Sequence, residues 1–301
     1  MTIFSQELSW AYLLHFTLVY FNQIIHPSVG YGNRLGAYFD NQNTVGKELA
    51  IICLLNLFIA WFTKNWLLLL PSLLSYYFII LTGSVSNTIS CPLVAFVVAL
   101  MWEKGGKRWL TLGIGVGLVI AFCVLINLPA LSYFKTRILS MIAGIFSENS
   151  SVKDASGAQR LQGAFNAFYL FLEKPLFGGG LSATYSDYSI VSHNNVAEVA
   201  SNYGVLGLIA EEFLFIYPLF CLRKKKDKIS RLFFGIMLFL TFYQLFLISF
   251  DSKIENFMFS FVFAHVRQTA SENSLVEKRF SLLKKKINFT VINPLKKESN
   301  Q

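Results

Sequence analysis

The chain has 301 residues, 54% of them hydrophobic and only 14% charged, with a formal net charge of +9. Soluble domains carry roughly 25% charged residues, and repeated apolar runs of spanning length exclude a large soluble enzyme with a few buried helices. The composition predicts an all-α, polytopic transmembrane helical bundle.

Eight spans are predicted in chain order, about Leu8–Ile25, Gly46–Phe62, Trp66–Thr82, Thr88–Trp102, Trp109–Leu131, Gly204–Leu222, Leu232–Phe250 and Ile254–Val266. The first is weakened by Glu7, His15, Asn22 and Gln23, and its opening, MTIFSQELSW, has no signal-peptide pattern. The fourth and last are short for a bilayer that wants about 20 residues. Between the fifth and sixth spans, Leu161, Phe165, Phe168 and Leu172 recur at one face of a helix. That helix is too short to span and is predicted to lie along the membrane surface. Ser156 or Gly157 caps its start, and Pro175 with Gly178-Gly179-Gly180 ends it. The four cysteines stand singly in apolar runs and suggest neither a disulfide framework nor a metal site.

The positive-inside rule orients these spans. Lys104, Lys107 and Arg108 follow the fourth, Arg223, Lys224, Lys225, Lys226, Lys228 and Arg231 follow the sixth, and the tail carries more. An even number of spans separates these basic links, so all three face the cytoplasm together. This basic excess reads as membrane flanks rather than a nucleic-acid site. The predicted organisation is then 1–131, five spans with a first outer loop at 26–45; 132–203, a large outer loop; 204–266, three spans; and 267–301, a basic cytoplasmic tail. Both termini are cytoplasmic. If Trp66–Trp102 crosses only once, the loop 26–45 moves inside.

Three polar constellations interrupt the apolar chain. YGNRLGAYFDNQN, from Tyr31 to Asn43, sets Arg34 between Gly32 and Gly36. Alone it reads either as a turn-rich loop with one solvated arginine or as an anion clamp, since the guanidinium fork matches a phosphate. Arg137 adds a cation to the large outer loop. Arg160 lies in the first turns of the surface helix, either snorkelling at headgroup depth or making a second phosphate contact. The triple glycine lacks the Lys-Ser/Thr of a P-loop.

IVSHNNVAEVASNYGVLG then places His193, Asn194 and Asn195 just before a long apolar run. Asparagine caps helices and can fix an imidazole tautomer, and a neutral imidazole can take a proton from a hydroxyl. No second histidine or carboxylate cluster accompanies His193, which argues against a metal site. Glu198 follows, then Glu211 and Glu212, which serve a pathway, pair with a basic group or reach water at a cytoplasmic helix end.

At these residues the sequence resembles the O-antigen polymerase/ligase family of membrane glycosyltransferases. RLGAYFDNQN is similar to the family's R-x-x-G-x-F-x-N-x-N segment at Arg34, Phe39, Asn41 and Asn43, with Gly36 displaced by one. RLQGAFNAFYLFLEKPLFGGG resembles its R…P-L-x-G-x-G segment at Arg160, Pro175, Gly178 and Gly180. SHNNVAEVASNYGVLGLI resembles its H-N-x-x-x-E-x-x-x-x-x-G-x-x-G segment at His193, Asn194, Glu198, Gly204 and Gly207. Members carry around ten to twelve spans, more of them ahead of the first motif, so the resemblance implies an N-terminally shortened member. TGSVSNTIS also lacks the family's Ser-Arg pair.

The resemblance implies a Wzy-type polymerase of capsular, exopolysaccharide or O-antigen repeat units, or a ligase, in the bacterial cytoplasmic membrane. Its substrate would be an undecaprenyl-diphosphate-linked glycan at the outer leaflet, and chain-length regulators and other polysaccharide-assembly proteins would be partners. Arg34 and Arg160 would clamp the diphosphate and His193 would be the base. Asn43, Asn194, Arg137, Gly178, Gly180 and Glu198 would line the substrate, with neither metal nor cofactor. A transporter of a lipid-linked anion, or a non-catalytic remnant, remains the alternative reading; no internal repeat of the transporter kind is visible.

Overall fold

The computed structural model describes residues 42–125, 127, 135, 136, 139, 155–246, 255–269 and 271. Every regular element among them is helical: α1 (Gln42–Thr63), a 3-10 turn (Trp66–Leu68), α2 (Leu69–Thr82), α3 (Val85–Trp102), α4 (Gly106–Leu125), α5 (Ala155–Glu173), α6 (Ala183–Tyr188), α7 (Asn195–Leu222) and α8 (Lys228–Tyr243). A ninth helix, α9, covers 255–269. The expected first span, the loop residues through Asn41 and most of the basic tail lie outside the described residues.

The chain divides into two compact units, 1–255 and 256–301. In the second, the Phe257 and Phe261 rings meet edge to face with centroids 4.7 Å apart. In the first, α1, α3 and α8 pack on one another, with α2 on α1, α4 on α3, and α5 on α7.

By length and composition α1, α3 and α7 are apolar enough to cross a membrane, and Trp66–Thr82 is a shorter apolar segment. The exposed large residues of α4, Trp109, Leu110, Ile114, Val116, Val119, Ile120 and Val124, form the kind of surface that lipid covers.

Local chemistry explains the helix breaks. Gly83 closes α2 in a left-handed conformation, and its N–H bonds the Ile80 carbonyl at 2.9 Å. Pro92 inside α3 has no N–H for the carbonyl one turn back. The Tyr76 hydroxyl donates to that carbonyl, Thr88 O, at 2.9 Å. Asn194 and Asp227 cap α7 and α8, accepting from Ala197 N–H at 3.0 Å and Ser230 N–H at 2.7 Å.

The largest departure from a simple span is in α7. Gly204 has φ 67° and ψ −163°, a region almost reserved to glycine, and divides the helix into arms 195–203 and 205–222. The arms fold back on each other: Asn195 Nδ2 lies 3.1 Å from Glu211 Oε1, although sixteen residues of straight helix would separate them by about 24 Å. The loop after α5 closes the gap. Gly179 and Gly180 donate to Ser201 O at 2.8 Å and Asn202 O at 2.9 Å, and Val205 N–H donates to Pro175 O at 2.8 Å. Ser201 O, Asn202 O and the Val205 N–H beside the break thus find backbone partners in that loop.

The two ends of the bundle differ in chemistry. At one end Trp102 meets the Phe234 ring at 5.2 Å and the Arg231 guanidinium at 5.5 Å. At the other, polar side chains are buried. Asn43 O accepts from Tyr243 Oη at 2.9 Å and Asn87 Nδ2 at 3.0 Å. Lys47 and Glu255, each 2% exposed, pair at 2.8 Å. Gly46 permits the approach of α3, since a Cβ there would meet Asn87 Nδ2 at 2.7 Å.

Candidate functional site

His193 stands at the Asn43 end, in the turn that leads into α7. Its backbone is left-handed, φ 51°. Burial lowers the imidazole pKa from its usual 6.5, and the Arg160 guanidinium lowers it further, while Glu198 pulls it up. Arg160 and His193 therefore lie within electrostatic reach of each other, although thirty-three positions separate them in sequence.

Gly163 makes that approach possible. It sits one turn after Arg160 on α5, and a Cβ there would fall 2.4 Å from the Val191 carbonyl oxygen and 3.0 Å from Ser192 Cα. The helix therefore rides directly on the backbone that carries His193. Sequence reasoning passed over Gly163; its signal was a glycine at the third residue beyond Arg160, inside an otherwise amphipathic helix. The face of α5 turned to the protein buries Asn166, Ala167 and Leu170. Leu161, Phe165, Phe168 and Leu172 are about half exposed, so the predicted apolar stripe points away from the rest of the chain.

The asparagines after His193 hold the turn against α8. Asn194 Nδ2 donates to Leu245 O at 3.3 Å, and Asn195 N–H donates to Gln244 O at 2.8 Å. Asn195 Nδ2 also reaches Gln244 Oε1 at 3.0 Å. Gln244 follows Tyr243, whose hydroxyl holds Asn43 O, and Arg160 acts electrostatically on Tyr243 as well. Asn43, Arg160, His193 and Asn194 thus belong to one connected region of the fold. Glu211 joins it through Asn195 and so lies toward this polar region, not toward Arg223 at the other end of its helix.

Other expected site residues have different surroundings. Gly178 N–H bonds Lys174 O at 2.9 Å, and Gly179 and Gly180 bond α7 carbonyls. A Cβ on Gly178 would lie 2.4 Å from the Asn202 carbonyl. Gly178 and Gly180 therefore shape the join between α5 and α7, with their N–H groups already occupied. Glu198 is 3% exposed and accepts from Ser192 N–H at 3.2 Å. Arg34 and Arg137 lie outside the described residues.

The fold defines a helical membrane protein with a polar region buried at one end of its bundle. Residues 68–210 match the family model described as O-antigen ligase, and over that segment the chain is similar to the O-antigen polymerase/ligase family. The matched segment contains Arg160, Gly163, the glycine loop, His193 and Gly204; Asn43 precedes it. No curated protein matches the chain.

Proposed function

We propose that the protein polymerises undecaprenyl-diphosphate-linked oligosaccharide repeat units at the outer leaflet of the bacterial cytoplasmic membrane. The observation that carries this reading is the convergence of Arg160 and His193 across Gly163, inside the segment matched by the O-antigen ligase model. In the proposed reaction an acceptor hydroxyl oxygen attacks the anomeric carbon of the lipid-linked glycan. The bond from that carbon to the diphosphate oxygen breaks, and the hydroxyl proton passes to the His193 imidazole. Negative charge grows on the departing diphosphate, where Arg160, with Arg34, neutralises it. Because burial and Arg160 hold His193 neutral near pH 7, it is in the form a base requires.

The Asn43 end faces outward in this reading, and the basic end of Arg231 faces the cytoplasm. The eight-span count, the outer loop 132–203 and the metal independence of the reaction belong to the same proposal. The bare stripe of α5 lies on the membrane surface and carries Arg160 at headgroup depth. The matched family's description as O-antigen ligase favours a second reading, transfer of finished glycan to another acceptor, with the same residues in the same roles.

Both readings are tested in liposomes charged with lipid-linked repeat units. Arg160→Ala and His193→Ala should each abolish glycan transfer while the protein still inserts. Normal-length polymer from both variants would sink the assignment, and transfer of one preassembled glycan without lengthening would select the ligase.

A further inference from the structure

His193 adopts a left-handed backbone that non-glycine residues hold only where their surroundings impose it. The surroundings act on the residue before it. Ser192 is 1% exposed. Its N–H donates to Glu198 Oε2 at 3.2 Å, and its hydroxyl donates to Asn194 O at 2.9 Å while accepting from Asn194 N–H at 3.3 Å. From the other side, Gly163 lets α5 press on Val191 and Ser192. Glu198 itself lies in the first turn of α7, with its own N–H bonded to Asn194 O at 2.9 Å. A carboxylate is among the costliest groups to bury, and this one is spent on a single backbone N–H next to the strained residue.

We propose that Glu198 is a positioning residue: its carboxylate grips the Ser192 N–H and so fixes the turn that carries His193 beside Arg160. It does not line the substrate, which separates it from the role its place in the motif suggests. The inference rests on His193 as the base of the proposed reaction. Glu198 also sets the charge balance at the imidazole. Among the described residues, the charged groups acting on His193 are Arg160 from α5, which drives its proton off, and Glu198 from α7, which retains it.

The test uses the full chain in nanodiscs with 13C-labelled histidine, titrated by NMR, the His193 signal being assigned by its loss in His193→Gln. Glu198→Gln keeps an oxygen for the Ser192 N–H but loses the charge. It should leave one His193 signal whose titration moves to lower pH. Glu198→Ala loses both, and should split or displace the His193 signal. It should also cut kcat on the order of 10- to 100-fold, with the KM for the lipid-linked donor unchanged and Glu198→Gln restoring much of the rate. A His193 titration in Glu198→Ala identical to the parent's would overturn the proposal, even if the variant melted earlier. The titration does not need turnover, so polymerisation by His193→Gln would refute the assigned base and leave the role of Glu198 separately measurable.

Discussion

Replacing Gly204 by alanine should destabilise the protein strongly. At φ 67° and ψ −163° a side chain is strained by about 1–3 kcal/mol. The new Cβ would also stand 2.4 Å from the Leu176 carbonyl carbon and oxygen and 2.6 Å from Phe177 N. These are backbone atoms of the facing loop, so no rotamer change relieves the overlap, and overpacking of this kind costs about 1–3 kcal/mol more. Together the two effects reach roughly 2–6 kcal/mol. The upper end is limited because the loop can part from α7. Parting gives up the bonds from Gly179, Gly180 and Val205, each worth about 1 kcal/mol net. At about 2 °C per kcal/mol for a long chain, thermal unfolding in detergent should fall by roughly 4–12 °C. Gly117→Ala is the control, since a Cβ there meets nothing within 4 Å. Gly178→Ala should resemble Gly204→Ala, and the double variant should cost less than the sum, because both open the same join. Equal melting temperatures for Gly204→Ala and Gly117→Ala would refute the reasoning.

Lys47→Met removes one partner of an ion pair that is 2% exposed on both sides, and should cost about 3–5 kcal/mol; Lys47→Met with Glu255→Leu should recover most of it in the same melting assay. His193 has a folded pKa below its usual 6.5, so the unfolded chain takes up a proton first as pH falls. Stability should therefore be flat above about pH 6.5 and decline below it, and the acid limb of the transfer rate should lie below pH 6.5; a rate already half lost at pH 7 would contradict this. A cysteine at Ser189, an exposed position, should react with an impermeant thiol reagent from outside the cell, and labelling only after permeabilisation would refute the outward orientation of the Asn43 end.

The helices were legible because apolar runs bounded by glycine, proline and charge have few other outcomes in a bilayer. α3 begins at Val85, three residues ahead of its expected start at Thr88, because Asn87 is buried against Asn43 O instead of ending the helix in solvent. Local patterns cannot show partners far apart in sequence. Lys47 and Glu255 are 208 positions apart, and nothing near either one announces the other. The family motifs marked Arg160, the glycine loop and His193. What they do not carry is direction: the same glycines that suit an approach to substrate also suit a tight backbone join, and the bonds to Ser201 O and Asn202 O are visible only in the fold. Gly163 was hidden for the same reason, its meaning lying in the Val191 carbonyl opposite.

The outward stripe of α5 has a practical consequence. A water-soluble protein hides Phe165, Phe168 and Leu172 and displays its glycine and asparagine; this helix does the reverse. The segment 155–203 is consequently no detachable domain. Cut free in buffer, it would turn its greasiest surface to water and clump. Detergent or nanodisc must therefore cover this flank as well as the spans, and an over-small micelle would strip support from the helix that bears Arg160.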